Sequence, residues 1–301
     1  GSEFDPSFQT TKYNLFKGYK YESKKMIDIG FYKEFVKETI CDGDDLLYNV
    51  VWSFLAQMFQ QPHIKMGTAL VLVSPERGTG KNRFLAPIFE LMAGYNMMST
   101  NHQALLGKFN KHLETTLLFA ANEADFTSNR KIVDGLKHII TEIENTKEPK
   151  SIDMTTVKNY THLIIMANMP PVKQIEGERR FISCDVSNNR QKDTVFFKNL
   201  TNLYETPGFH ESLLFDLLNF DYTPYQEFLR NPPISEATLE QIQLSTSNVE
   251  AWWKYCLENG TIPYVSYDLT HEDELNITNE AKFQSFKKWC TENGFKQSLN
   301  I

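Results

Sequence analysis

The sequence predicts an α/β fold built on a parallel β-sheet, with helices before and after it. Three apolar runs support this prediction, at residues 68–74, 116–121 and 162–167, and each has the length of a buried strand. Segments with a helical spacing of apolar residues lie between them. Each run ends in polar residues, so a parallel arrangement would gather those residues at one edge of the sheet.

The first run leads into a glycine-containing turn, a lysine and a helix, which is the order of a phosphate-binding P-loop. Backbone N–H groups of such a turn point at phosphate oxygens, and the positive end of the next helix adds to the attraction. We expect Lys81 to contact the β- and γ-phosphates of a nucleotide. The residues expected to form the nucleotide site are Glu76, Arg77, Gly78, Thr79, Gly80, Lys81 and Asn82.

The turn departs from the usual pattern G-x-x-x-x-G-K-[ST] at two positions. Pro75 stands where the first glycine belongs, and Asn82 stands where the magnesium-binding hydroxyl belongs. An amide oxygen still suits Mg²⁺, so Asn82 remains a candidate metal ligand. Because Gly-x-Gly-Lys also occurs by chance in loops, the hypothesis depends on the residues at the ends of the other strands.

Polar residues come after the second and third runs as well. Asn122 and Glu123 stand where P-loop NTPases hold the metal and orient the attacking water. We expect both to contact Mg²⁺ and Glu123 to act as the catalytic base. Asn168 comes after the third run, where it can contact a γ-phosphate or that water. The alternative in each case is a core strand that ends in an ordinary polar turn.

Two adjacent arginines, Arg179 and Arg180, precede a further strand-like run at residues 181–186. Either is a candidate for an arginine finger, which stabilises transition-state charge and contributes about 10³–10⁵ in rate. Adjacent arginines are otherwise simply solvated, and the sequence does not separate one from the other.

The order of these motifs resembles that of the superfamily 3 helicases, an AAA+-like family. Within it, the chain is most similar to phage and plasmid primase–helicases, and among these to the C-terminal helicase regions of phage primase–polymerases. The resemblance is specific over Tyr48–Val186. The segments that carry it are Pro75–Asn82, Asn122-Glu123, Lys147–Lys158, Asn168 and Arg179-Arg180.

The resemblance implies an AAA+-like P-loop NTPase core that uses ATP and Mg²⁺ and assembles into a hexameric ring around single-stranded DNA. ATP would bind between subunits, with Lys81 and Glu123 on one side and an arginine of the neighbour on the other. The resemblance also implies a DNA-binding hairpin before the third strand. Candidate DNA contacts are Lys150, Lys158, Lys137 and His138. An N-terminal primase–polymerase domain would precede the chain, and a phage protein of this kind would work in the host cytoplasm.

Two lysine-bearing segments are candidates for DNA contact, although the net charge of −7 would repel phosphate overall. Residues 147–160 are interpreted as a β-hairpin with its first strand at Ser151–Met154, and a solvated hairpin is the alternative. Residues 12–25 interleave lysines with aromatics, as single-strand binders do. Packing of these rings on a neighbouring surface is the commoner arrangement.

The composition is that of a folded protein, with 41% hydrophobic residues and no apolar run near the ~20 residues needed to span a bilayer. No secretory leader is visible, and the four scattered cysteines suit reduced thiols in a cytoplasm. We expect a cloning scar at 1–4, a lysine/aromatic segment and helical collar at 5–66, and an NTPase core at 67–218. A linker at 219–246 and a small, mainly helical module at 247–301 would come next, with Trp252, Trp253 and Trp289 in the core of that module.

Two functions of different class remain open. The first is a ring-forming DNA helicase driven by ATP hydrolysis, favoured by Glu123 and the two arginines. The second is a ring that closes on template DNA and positions the polymerase with little or no hydrolysis. Pro75, Asn82 and Asn122 favour the second function. A small-molecule kinase with a P-loop is the third class, but the sequence offers no acceptor site for it.

Overall fold

The computed structural model describes residues 1–101, 103–106, 111–122, 130–147, 155–168, 179–234, 248–265 and 278–293. They fall into two compact units. The large unit runs to residue 238, and the small unit is formed mainly by residues 239–301. Among the described residues, no helix has both the length and the apolar character needed to cross a membrane.

The N-terminal part of the large unit is a short strand pair followed by two helical segments. Strands β1 (Ser2–Glu3) and β2 (Tyr13–Asn14) pair in parallel. Helix α1 (Gly30–Phe35) continues as a π-helix, Val36–Ile40, and α2 spans Asp45–Gln60. The carboxylate of Asp44 accepts a hydrogen bond from the backbone N–H of Leu47 at 2.9 Å and so caps α2. These helices form the collar that the sequence predicts.

The large unit then continues in the predicted alternation of strands and helices. Its first half contains β3 (Ala69–Val73), α3 (Lys81–Leu91), β4 (Asn96–Ser99), α4 (Gln103–Leu106), β5 (Leu118–Asn122) and α5 (Arg130–Thr141). Its second half contains β6 (Glu144–Lys147), β7 (Thr155–Lys158), β8 (His162–Ala167), β9 (Phe181–Asp185), α6 (Thr194–Glu205) and α7 (Phe209–Asn219).

Five of these strands form a parallel sheet in the order β4-β5-β8-β3-β9. Side chains alternate between its two faces, as strand geometry requires. Leu70, Leu72 and Ile164 pack in one buried cluster together with residues of the collar and α7. Val71 and Ile165 pack in a second cluster together with residues of α5. The α/β fold class is therefore confirmed, with helices on both faces of a parallel sheet.

The hairpin before β8 differs from the prediction in its first strand. Strands β6 and β7 are antiparallel, with Glu144 opposite Lys158 and Lys147 opposite Thr155. The prediction placed the first strand at 151–154, and those residues lie outside the described part of the chain. The sequence of β6, Glu-Asn-Thr-Lys, has no apolar alternation, so pattern reasoning could not identify it.

Three aromatic residues of the N-terminal segment pack within the large unit. Phe16 is buried, and the hydroxyl of Tyr19 donates to the carbonyl of Phe59 at 2.7 Å. The hydroxyl of Tyr21 donates to Glu90 at 2.8 Å. These three rings are thus engaged within the protein, whereas Tyr13 is 65% exposed.

Residues of the predicted cloning scar (1–4) and of the predicted linker (219–246) pack in the core of the large unit. Phe4, within the four residues interpreted as a cloning scar, is buried against Phe16, Tyr95 and Tyr160. Leu229, inside the segment expected to be a linker, is buried, and its carbonyl accepts a hydrogen bond from the Thr68 hydroxyl at 2.8 Å. Residues 219–234 therefore lie against the large unit, because their apolar side chains join its core.

The small unit contains two described helices, α8 (Asn248–Asn259) and α9 (Asn279–Glu292). Trp252 and Trp289 are buried in its core, as expected, whereas 36% of the Trp253 surface is exposed. The hydroxyl of Thr278 accepts from the backbone N–H of Ala281 at 3.2 Å and caps α9. The described residues of this unit are mainly helical, as predicted.

Candidate nucleotide-binding site

The polar residues predicted to act together lie at the carboxyl edge of the sheet. Strands β3, β5 and β8 run in parallel and end at this edge. The Nζ of Lys81 lies 3.2 Å from Oδ1 of Asn168 and 3.1 Å from the carbonyl oxygens of Ser74 and Ala167. The lysine side chain therefore lies across the ends of β3 and β8, and its ammonium is close to the predicted sensor amide.

The turn between β3 and α3 has the backbone shape that its glycines permit. Gly78 and Gly80 have φ values of +79° and +105°, in the region that side-chain-bearing residues rarely adopt. The hydroxyl of Ser74 donates to the carbonyl of Glu76 at 3.0 Å. The side-chain amide of Gln191 donates to the carbonyl of Arg77 at 3.2 Å. Hydrogen bonds from the side chains of Ser74 and Gln191 therefore hold two carbonyl groups of the turn.

Gly80 is required for a second reason, which is space. A Cβ atom at this position would lie 2.9 Å from the ring of Phe35 and 3.1 Å from the ring of Phe197. Gly80 is also the N-terminal cap of α3, and the first N–H groups of a helix have no partner within the helix itself. The absence of a side chain thus brings two aromatic rings close to the start of this helix.

A cavity of about 400 Å³ opens beside the turn, a volume within the range of small-molecule sites. It lies at the N-terminus of α3, where the helix dipole and the unpaired N–H groups favour an anion. Three of its lining side chains are cationic. The lining residues are Arg77, Gly78, Thr79, Gly80, Lys81, Asn82, Arg83, Asn122 and Phe197.

The lining also fits Mg²⁺ carried in with a polyphosphate. Asn82 and Asn122 both line the cavity and offer amide oxygens, which are hard ligands. Among the described residues, no group of three or more His, Cys, Asp or Glu side chains is arranged to hold a metal. Glu123, the predicted carboxylate ligand and base, lies outside those residues. Mg²⁺ commonly keeps several waters and is bound through one or two carboxylates plus substrate phosphates. The amides of Asn82 and Asn122 are the candidate protein donors among the described lining residues.

The two predicted finger arginines lie at the opposite edge of the sheet. The carbonyl of Arg180 accepts a hydrogen bond from the backbone N–H of Ala69, the first residue of β3. The turn begins after Val73, the last residue of β3. Val73 is four residues beyond Ala69, which corresponds to about 13 Å at the usual rise of a strand. Arg179 is exposed and Arg180 is half-buried.

The predicted DNA contacts lie on the hairpin and on α5. Lys158, at the end of β7, is exposed, and its interaction with Tyr160 raises its pKa, so it stays charged. On α5, Lys137 is half-buried and His138 is exposed. Lys150 lies outside the described residues.

Several residues at the site have no signal in the sequence. Phe197 lines the cavity and Gln191 braces the turn, yet both come more than 100 residues after the P-loop and fit no motif. Only their proximity in the folded chain identifies them.

Comparison with known proteins establishes the fold. A model of a family of unknown function, DUF5906, matches residues 72–180, about a third of the chain, from β3 to Arg180. No curated protein matches the chain.

The chain is similar to solved structures of the C-terminal region of NrS-1 in the apo form. One has a TM-score of 0.66 at 18% identity, and another, an A form, has 0.68 at 20%. Each match covers 96% of this chain and 71% of the other. A JCV helicase matches at a TM-score of 0.38 and 11% identity, over 78% of this chain and 67% of the other, and this score is too low to support a conclusion. The resemblance predicted from the motifs is thus confirmed at the level of the fold.

Proposed function

We propose that the chain is the ATP-dependent DNA helicase or translocase domain of a phage replicative primase–polymerase. The observation that carries this proposal is that Lys81 and Asn122 line one cavity at the N-terminus of α3, with Asn168 3.2 Å from the Lys81 ammonium. A cationic cavity next to free backbone N–H groups is suited to a polyphosphate. Asparagine side chains from two other strand ends are suited to orient a phosphate and a water.

In this proposal Lys81 turns from the strand-end carbonyls to the β- and γ-phosphates, and Asn168 contacts the γ-phosphate or the attacking water. Glu123 orients that water and accepts its proton. Asn82 and Asn122, with Glu123, hold Mg²⁺. The bound Mg²⁺ supplies neutralisation of the charge that develops on the phosphates.

The position of Arg179 and Arg180 supports a site shared between subunits. Because they lie at the far edge of the sheet from the cavity of their own chain, an arginine finger would have to come from a neighbour. A ring in which one surface meets a different surface supplies this arrangement at every interface. We propose a hexameric ring with ATP between subunits and single-stranded DNA in its channel.

The hairpin β6–β7 is the proposed DNA-binding element of the channel. Lys150, Lys158, Lys137 and His138 would contact the DNA backbone. A local cationic surface is needed because the net charge of the chain is −7. The protein would act in the host cytoplasm, preceded in its full-length form by a primase–polymerase domain.

A ring that binds nucleotide and positions template DNA without appreciable hydrolysis is the second candidate. The amide side chains of Asn82 and Asn122 favour it, because both line the cavity where active P-loop enzymes carry a hydroxyl and a carboxylate.

Steady-state ATP hydrolysis with and without single-stranded DNA separates the two candidates. A motor predicts hydrolysis that DNA stimulates and that Lys81→Ala and Glu123→Gln both abolish. Turnover no higher than that of Glu123→Gln, in a preparation that binds ATP and is oligomeric, would select the positioning ring.

A further inference from the structure

One wall of the cavity comes from outside the P-loop and the neighbouring strand ends. Phe197, in the first turns of α6, lines the cavity together with residues 77–83 and Asn122. It is the one aromatic side chain in the lining formed by the described residues. The remaining lining side chains are cations, amides and a threonine on or beside the phosphate-binding turn.

The ring of Phe197 is held in place by other rings. It meets Phe35 of α1 edge to face, with centroids 6.2 Å apart and an interplanar angle of 85°. It meets Phe196 in the same way at 5.6 Å and 83°. Its Cε1 atom approaches Gly80 so closely that a Cβ there would lie 3.1 Å away. The ring therefore has a fixed position before any ligand binds, and no ordering is needed on binding.

A phenyl ring does not bind phosphate, because it neither donates hydrogen bonds nor carries positive charge. It is suited to a flat aromatic group attached to that phosphate. In a nucleoside triphosphate this group is the base, and stacking of a base on an aromatic side chain is worth about 1–3 kcal/mol. The cationic turn and the aromatic ring thus match the two ends of one ligand.

We propose that Phe197 is the platform on which the nucleobase of the bound nucleoside triphosphate stacks. This inference rests on the proposed function, since it assigns the nucleoside end of the same ligand. The face of a phenyl ring stacks on the face of a base and makes no hydrogen bonds to the edge of that base. The platform therefore favours the larger purines over pyrimidines and does not by itself distinguish ATP from GTP.

The test is titration calorimetry with two ligands, ATP and inorganic tripolyphosphate, each with Mg²⁺. Phe197→Ala should weaken ATP binding about tenfold and leave tripolyphosphate binding within about twofold, because only ATP has a base to stack. Phe197→Trp should retain the affinity for ATP. Phe220→Ala is the control, since it removes an equal, half-buried ring outside the cavity lining, and it should leave the ratio of the two affinities unchanged.

The possible outcomes distinguish a failure of base stacking on Phe197 from a failure of nucleotide binding at the cavity. If Phe197→Ala weakens both ligands equally, or neither, Phe197 is a packing residue and the platform is wrong. The same conclusion holds if Phe197→Leu, which fills the space without a π face, binds ATP as the wild type does. If the wild type binds neither ligand, the nucleotide-binding function fails, and the platform fails with it.

Discussion

At the residue scale, Gly80 meets two constraints at once, and Gly78 meets only one. Both have positive φ, but a Cβ at Gly80 would overlap two aromatic rings, whereas nothing lies within 4 Å of a Cβ at Gly78. A comparison of substitutions at Gly78 and Gly80 therefore separates the cost of backbone strain from the cost of steric overlap.

We predict that Gly78→Ala lowers the free energy of unfolding by about 1 kcal/mol through its backbone conformation alone. Gly80→Ala should lower it by about 2–4 kcal/mol, since Phe35 and Phe197 must also shift. Urea denaturation of both variants measures the difference. Equal losses would show that the rings can move aside freely.

Lys65 is a second residue with an unusual environment. It is half-buried, and its ammonium donates to the carbonyls of Ile139, at 2.8 Å, and of Thr161. Burial lowers the pKa of Lys65 to about 7. The neighbouring His162 is buried, and burial lowers its pKa to about 3. Both groups make folding depend on pH.

Between pH 7 and about 10, the unfolded chain holds a proton on Lys65 that the folded chain has released, so a rise in pH favours the folded chain. We predict that the free energy of unfolding increases by about 1 kcal/mol per pH unit from pH 7 to 9. Lys65→Met should remove this slope.

Urea midpoints at pH 5, 7 and 9 and constant ionic strength test the prediction. His162 acts below pH 6.5, where the unfolded chain binds a proton that the folded chain does not. The loss of stability from pH 6 to 4 should therefore persist in Lys65→Met. An unchanged slope above pH 7 in that variant would assign the effect to another group.

At the element scale, α3 contains a proline in its interior and a partner that compensates for it. Pro87 has no N–H, so it cannot donate to the carbonyl of Arg83 one turn earlier. The hydroxyl of Tyr204, on α6, donates to that carbonyl at 2.9 Å. The helix that begins at Lys81 is thereby tied to the helix that carries Phe197.

A double-mutant cycle tests this compensation. We predict that Tyr204→Phe lowers the free energy of unfolding by about 1 kcal/mol in the wild type. In Pro87→Ala the loss should be near zero, because the new backbone N–H serves the Arg83 carbonyl. A Tyr204→Phe effect of the same size in both backgrounds would mean that the hydroxyl does not replace the missing donor.

Elements with a buried face were predictable from the sequence, and exposed ones were not. Strand β8 was predicted at 162–167, its observed bounds, because every one of its side chains is buried. Helix α2, within the collar predicted at 5–66, also buries most of its side chains, and Asp44 caps it. The short edge strand β4, Asn-Met-Met-Ser, was not predicted, because its half-exposed residues show no pattern.

The candidate site shows the same division. Lys81, Asn122 and Asn168 were predicted to meet because each comes after a parallel strand, and the structure brings them to one edge. Phe197 and Tyr204 were not, because their contacts arise from the packing of α6 against the P-loop helix. Sequence motifs identify residues at the ends of strands. The residues that complete the cavity from α6 are identified only by tertiary packing.

At the scale of the whole molecule, the turn between β3 and α3 and the two arginines lie at opposite edges of one sheet. If ATP binds between subunits, a subunit without Lys81 and a subunit without the arginines can share an intact site. We predict that Lys81→Ala and the double variant Arg179→Ala/Arg180→Ala are each inactive and that an equal mixture regains ATP hydrolysis. About a quarter of the interfaces in mixed rings would be intact. A mixture as inactive as its components would rule out the shared site.

If the carboxyl edge of the sheet binds the phosphates of a nucleotide, the protein should bind Mg²⁺–ATP at equilibrium through Lys81. We predict that the wild type binds ATP and that Lys81→Ala weakens binding by about tenfold or more, the effect of losing a charged hydrogen-bonding group. Lys25→Ala, which removes the same charge from an exposed position, should bind as the wild type does. Binding by Lys81→Ala as tight as that of the wild type, or no binding by the wild type, would show that this edge of the sheet does not bind nucleotide phosphates.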